Sequence, residues 1–150
     1  TSVLEMASCI ILSGSDRSAR DDVDARDATR TCLAYSAEFA VPLLGVCYGM
    51  HRLMQHHGAT VTTGLFRSGK YDVDAASGAR FRLAFECEDF VSAAPPTFRV
   101  VLDHPAHGVV LVTNGMSGGR ATGAAFHPEA SEDGRRLLHL WLSGVDMVGA

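Results

Sequence analysis

Ten residues, Val-Pro-Leu-Leu-Gly-Val-Cys-Tyr-Gly-Met at 41–50, constrain the fold of this chain more than any other stretch. The apolar run 43–46 is short and carries no polar face, which is the pattern of a strand buried on both sides. Immediately after it, Met50, Leu53, Met54 and His57 recur at helical spacing, and Gly58 occupies the position where a helix commonly ends. Cys47 therefore sits at a strand-to-helix junction. Gly45 and Gly49, two residues to either side, remove side chains that would crowd so tight a turn.

The flanking sequence extends an α/β reading. Residues 8–14 read as a buried strand running into a tight Ser-Gly-Ser loop, and the acidic segment 15–27 reads as a solvated loop. Ala28, Cys32, Tyr35 and Phe39 mark one face of a helix that Pro42 ends. Phe81, Leu83 and Phe85 alternate with polar or small residues, and 98–102 and 108–113 are β-rich with turn signals between them. A small-residue strand over 121–126 leads to Phe-His-Pro-Glu, and a helix over 132–142 buries Leu137, Leu138 and Trp141, with Glu132 and Asp133 in its first turn. The simplest account is a parallel α/β half, an antiparallel insertion, and a return to strand and helix.

The junction carries the chemistry. A cysteine between a strand and a helix N-terminus is exposed by the turn, and the dipole and unpaired N–H groups favour its thiolate and can hold an oxyanion. Such a nucleophile needs a base and a group that orients the base. His127 and Glu129 fit: positions i and i+2 of an extended chain project to one side, and Pro128 biases His127 to the extended form. Taken singly, Gly-x-Cys-x-Gly also fits a buried structural cysteine, and His-Pro-Glu also fits a surface loop.

Together, Ile-Leu-Ser-Gly-Ser (11–15), the Cys47 stretch (41–50) and Phe-His-Pro-Glu (126–129) occur in the order of the three signatures of the class I, or triad, glutamine amidotransferases, which this chain resembles over nearly its whole length. Cys-Tyr-Gly-Met is most similar to the GMP synthase type. The resemblance implies a flavodoxin-like α/β fold, with a mostly parallel sheet, helices on both faces and a small antiparallel insertion. It implies that Cys47 attacks the side-chain amide of glutamine, that His127 protonates the departing ammonia and then activates water, and that Glu129 orients His127. Tyr48 and the Gly14–Ser15 turn would supply the oxyanion N–H groups, and ammonia would pass to a synthetase domain or subunit. The segment 86–91 resembles the family's Ser-His-x-Asp-x-Val block, so Asp89 and Cys87, with His51, fall in the substrate pocket. No cofactor or metal is implied.

Several positions depart from the family pattern. His51 stands where the family has Gln, and Cys87 where it has His. Ser15 and Asp16 replace Gly and Pro, and Ala125 replaces Gln. The family also has a strand, a helix and a second strand before Ile-Leu-Ser-Gly, where here only residues 1–8 precede it. The expectation is a single domain over 1–150 that lacks those elements, either because it is a fragment or because another chain completes its sheet. Two other readings fit the same residues: a catalytically degraded copy with a structural or interaction role, and a related γ-glutamyl hydrolase.

Composition removes other classes. At 150 residues, 47% hydrophobic and 20% charged, the chain suits one folded domain. A net charge of −4 argues against a general nucleic-acid binder, and no apolar run reaches the ~18 residues of a membrane span. Four irregularly spaced cysteines suggest a reducing, cytoplasmic setting, with Cys9 and Cys32 as inert core thiols. No phosphate-cradling Gly-rich Lys-Ser/Thr loop is present. Asp103, His104 and His107 match no established metal spacing.

Overall fold

The computed structural model describes residues 6–21, 28–115, 120–145 and 147. In chain order its elements are β1 (Ile10–Leu12), α1 (Thr29–Phe39), β2 (Leu43–Val46), α2 (Tyr48–His56), β3 (Val61–Asp74), β4 (Arg80–Val91), β5 (Arg99–His104), β6 (Gly108–Thr113), β7 (Ala121–Ala124), a short 3₁₀ turn (Pro128–Ala130) and α3 (Glu132–Leu142).

The main sheet has five strands in the order β1-β2-β7-β6-β5. β2 pairs in parallel with both β1 and β7, while β6 runs antiparallel to β7 and β5 antiparallel to β6. The unbroken apolar run of β2 is explained by this central place: all four of its residues are buried. Helices cover both faces. On one, Met50 of α2 packs over Gly123, where an added Cβ would lie 2.8 Å from the Met50 Cγ. On the other, Leu137, Leu138 and Trp141 of α3 close over Leu44, Leu111, Ala124 and Phe126. Leu44 faces α3, and Gly45 turns its open side to α2, as the strand period requires.

A second, two-stranded sheet is the long antiparallel ribbon β3–β4, with a register shift between Thr63 and Arg67. β4 matches the alternating Phe81, Leu83, Phe85 pattern, whereas β3 is not legible in the sequence. Its residues are mostly polar and only Val61 and Val73 are buried, so it carries no apolar alternation and exists because β4 offers it a ladder. The ribbon is tied to the main sheet where the His127 N–H donates to the Ala84 carbonyl (2.8 Å).

Three expectations are corrected. The buried face of α1 is Thr29, Cys32 and Ser36, with Ala28 and Phe39 exposed. The Ser36 hydroxyl satisfies itself on the Val41 carbonyl (2.6 Å), which lets a polar residue face inward, and Phe39 instead stacks obliquely on Tyr35. Residues 15–21 of the acidic segment are not simply a solvated loop, because Ala19 is fully buried and Ser18 and Arg20 bind Asp89. Asp22, Asp24 and Asp27 lie outside the described residues. His57, expected on the buried face of α2, is exposed and meets Phe98 edge-on.

Gly49 is held by close packing rather than by its dihedral angles: an added Cβ would collide with the Leu12 carbonyl of β1. Gly49→Ala should therefore lower stability by about 1–3 kcal/mol, read as a shift in the urea midpoint.

Candidate active site

β2 delivers the chain to Cys47, whose backbone takes φ 51° and ψ −111° before α2 begins. A side-chain-bearing residue in this region is strained, and such strain persists only where the surroundings over-determine it. Here the Cys47 N–H donates to the Ala124 carbonyl (2.8 Å), and the Cys47 carbonyl accepts from His51 N–H in the first turn of α2 (3.0 Å). A Cβ on Gly45 would sit 2.7 Å from the Gly49 carbonyl oxygen, so the turn closes only because both positions are glycine.

His127 follows β7 in extended conformation, φ −93° and ψ 99°. Its Nδ1 lies 3.0 Å from a carboxylate oxygen of Glu129. That contact fixes Nδ1 as the protonated nitrogen and leaves Nε2 to address the cysteine. Gly14, in the loop after β1, touches both: an added Cβ would stand 3.1 Å from His127 Cε1 and 3.7 Å from Cys47 Cβ. The three sequence motifs therefore meet at one point.

The charges reinforce one another. The Cys47 thiol is lowered from 9.0 to about 6, first by a hydrogen bond from the Cys87 thiol, which with the charge and hydrogen bond of His127 and the Tyr48 N–H outweighs burial. The Cys87 thiol moves the opposite way, because its proton is held on the Cys47 sulfur and burial adds to the effect. For His127, burial disfavours the charged ring, but the Glu129 hydrogen bond and the Cys47 thiolate prevail and raise it.

Before this centre opens a cleft of about 550 Å³, lined by Ser15, Tyr48, His51, Cys87 and Asp89 among others. Gly14 and Glu129 lie behind His127, in a second hollow of about 380 Å³ beside β1. Among the described residues, no group of three or more His, Cys, Asp or Glu side chains is disposed to hold a metal ion.

No family model matches the chain. In sequence it is 34% identical over 148 residues to the GMP synthase (glutamine-hydrolyzing) of Thermus thermophilus and 28% identical over 127 residues to that of Neisseria meningitidis, covering 91% and 75% of this chain. It spans only 28% and 24% of those relatives' lengths. In structure it superposes on a GMP synthase component of Thermoplasma acidophilum with a TM-score of 0.75 at 19% identity, covering 97% of this chain and 75% of that one. A glutamine amidotransferase of Thermotoga maritima gives a TM-score of 0.72 at 20% identity, with 96% and 68% covered. The chain is a GMP synthase-like domain with the class I glutamine amidotransferase fold.

All nine site residues expected from the sequence of this amidotransferase-fold domain gather at the cleft or directly behind His127. The sequence did not reveal what holds Asp89. This carboxylate is buried and accepts from the Ser18 hydroxyl (2.5 Å), from Arg20 Nε (3.1 Å) and from the Thr63 hydroxyl (3.4 Å). The one available signal was a pair of arginines, Arg17 and Arg20, inside an acidic run. Phe66, 64% exposed at the ribbon's irregularity, forms an apolar rim that the surrounding polar residues hide in the sequence. His51 is buried with its Nε2 unbonded, and burial lowers it to about 4 despite the nearby Asp89 charge, so it is neutral at physiological pH.

The thiolate fraction of Cys47 rises as pH rises through its pKa. Iodoacetamide labelling of Cys47 should climb with a midpoint near pH 6, with Cys9 and Cys32 lagging far behind in the folded protein. Cys87→Ala removes the largest stabilising contact and should move that midpoint upward, as peptide mapping across a pH series would read.

Proposed function

We propose that this domain releases ammonia from glutamine through a Cys47–His127–Glu129 triad and passes it to a synthetase domain or subunit, in the purine pathway that the relatives' name implies. The observation that carries the reading is the meeting of a strained, acidified thiol with a carboxylate-oriented imidazole in the wall of an open cleft. Cys47 attacks the amide carbon, and the developing oxyanion is held by the Tyr48 N–H and the Gly14–Ser15 backbone. His127, kept protonated by Glu129, gives its proton to the departing ammonia; the resulting thioester is then cleaved by a water that His127 activates. The 150 residues act in this reading as one domain. The outer edge of β1, where Ile11 is half exposed, is where a further strand, from this protein or a partner, extends the sheet.

A γ-glutamyl substrate other than glutamine is the second reading, and a specific contact favours it. Asp89 is already neutralised by Arg20, and His51 and Cys87 replace two polar groups of the family pattern. A site built on hydrogen bonds loses on the order of 10²-fold in rate when such a partner is misplaced. Glutamine hydrolysis by the chain alone should therefore be slow. Cys47→Ala should abolish it, and His51→Gln with Cys87→His should raise it, as ammonia release reports. Turnover of γ-glutamyl peptides well above that of glutamine would transfer the assignment to the second reading.

The pH profile follows from the same pair. The thiolate is present above about pH 6, and the proton-donating imidazolium is lost only above the raised pKa of His127. Log kcat/KM should climb through about pH 6 and fall again at higher pH; Glu129→Gln should bring the falling limb to lower pH, because it removes a contact that raises His127.

A further inference from the structure

The cleft brings two thiols together. The Cys47 sulfur lies 3.9 Å from the carbonyl of Glu86, the residue preceding Cys87, and the Cys87 thiol is near enough to favour the Cys47 thiolate. Both cysteines line the same open cavity, and both are free. Beyond favouring the Cys47 thiolate, Cys87 has no step of its own in the amide chemistry proposed above. We propose that Cys47 and Cys87 form a reversible disulfide when the protein meets a hydroperoxide, a redox modification site built into the floor of the cleft. The proposal rests on the reading of Cys47 as a thiolate nucleophile, but not on the identity of its amide substrate.

The chemistry balances with a hydroperoxide as the two-electron oxidant. The Cys47 thiolate attacks one oxygen of hydrogen peroxide; an S–O bond forms, the O–O bond breaks, and the leaving hydroxide takes the proton of the His127 imidazolium to become water. Cys47 is now a sulfenic acid, oxidised by two electrons. Cys87 then attacks its sulfur: the S–S bond forms, the S–O bond breaks, and the departing hydroxide takes the Cys87 proton as a second water. The order is set by the pair itself. While Cys47 is anionic its charge and hydrogen bond keep the proton on Cys87, so Cys47 reacts first. Sulfenylation removes that charge and frees the Cys87 proton for the departing hydroxide, with Arg67 offsetting part of the cost that burial and Asp89 still impose on the Cys87 anion. Cys9 and Cys32 have no place in the cleft and do not compete.

Mass spectrometry decides the matter without reference to turnover. The chain is treated with a few equivalents of hydrogen peroxide, the remaining thiols are alkylated, and tryptic peptides are mapped. The expected product joins peptide 31–52 to peptide 83–99, two hydrogens lighter than the separate thiols, with fragmentation assigning the bond to Cys47 rather than Cys32. Dithiothreitol should return both thiols. In Cys87→Ser, the same treatment should carry Cys47 onward to sulfinic acid, which dithiothreitol does not reverse. Wild-type Cys47 passing directly to sulfinic acid while Cys87 stays alkylatable, or a bond to Cys9 or Cys32, would overturn the proposal. A protein that forms the Cys47–Cys87 bond but hydrolyses no glutamine would keep this inference and lose the proposed function, whereas the opposite result would do the reverse.

Discussion

The backbone of Cys47 is the constraint on which the rest of the site depends. Its left-handed conformation is unfavourable for any residue with a Cβ and cannot persist by local preference. It is held because its N–H is committed to β7 and its carbonyl to α2, while Gly45 and Gly49 let strand, turn and helix approach to contact. The same clamp aims the sulfur at His127 and brings the first N–H groups of α2 beneath it. Sheet order matters for this reason: β2 is flanked by β1, which ends in the loop bearing Gly14, and by β7, which ends in His127. Three separate stretches of sequence become neighbours because three adjacent parallel strands end on one side of the sheet.

Much of this was legible in the residues. The β2–Cys47–α2 unit carries its own punctuation, an all-apolar run between two kinds of break, and no alternative element satisfies it. α3 declares itself by its acidic first turn and by Leu137 and Trp141 one turn apart. The meeting of Cys47, His127 and Glu129 was legible because each sits in a short motif. What stayed hidden depends on partners distant in sequence. β3 has no periodicity because its stability comes from the β4 ladder. Ser36 falls outside the helical face that the apolar spacing marks, because its partner is a backbone carbonyl, invisible to pattern. Asp89 lines the cleft, and its ion pair with Arg20 joins positions nearly seventy residues apart.

Electrostatically the site is a chain of shared protons rather than a set of separate groups. Glu129 holds the proton of His127, and the charge on His127 and the thiol of Cys87 hold the anion on Cys47. Cys47 and His127 are each shifted in the direction that stabilises the other's charge. His51 stands outside this chain. Buried and neutral, it contributes shape and a lone pair to the cleft wall, but no charge.

The hydrogen bond from His127 N–H to the Ala84 carbonyl has a mechanical meaning. It suspends the imidazole from β4, one arm of a ribbon fourteen residues long on its other side. The placement of the ring is thus tied to the ribbon: a shift of β4 at Ala84 shifts the His127 backbone with it, so the position of this side chain is set in part outside the cleft.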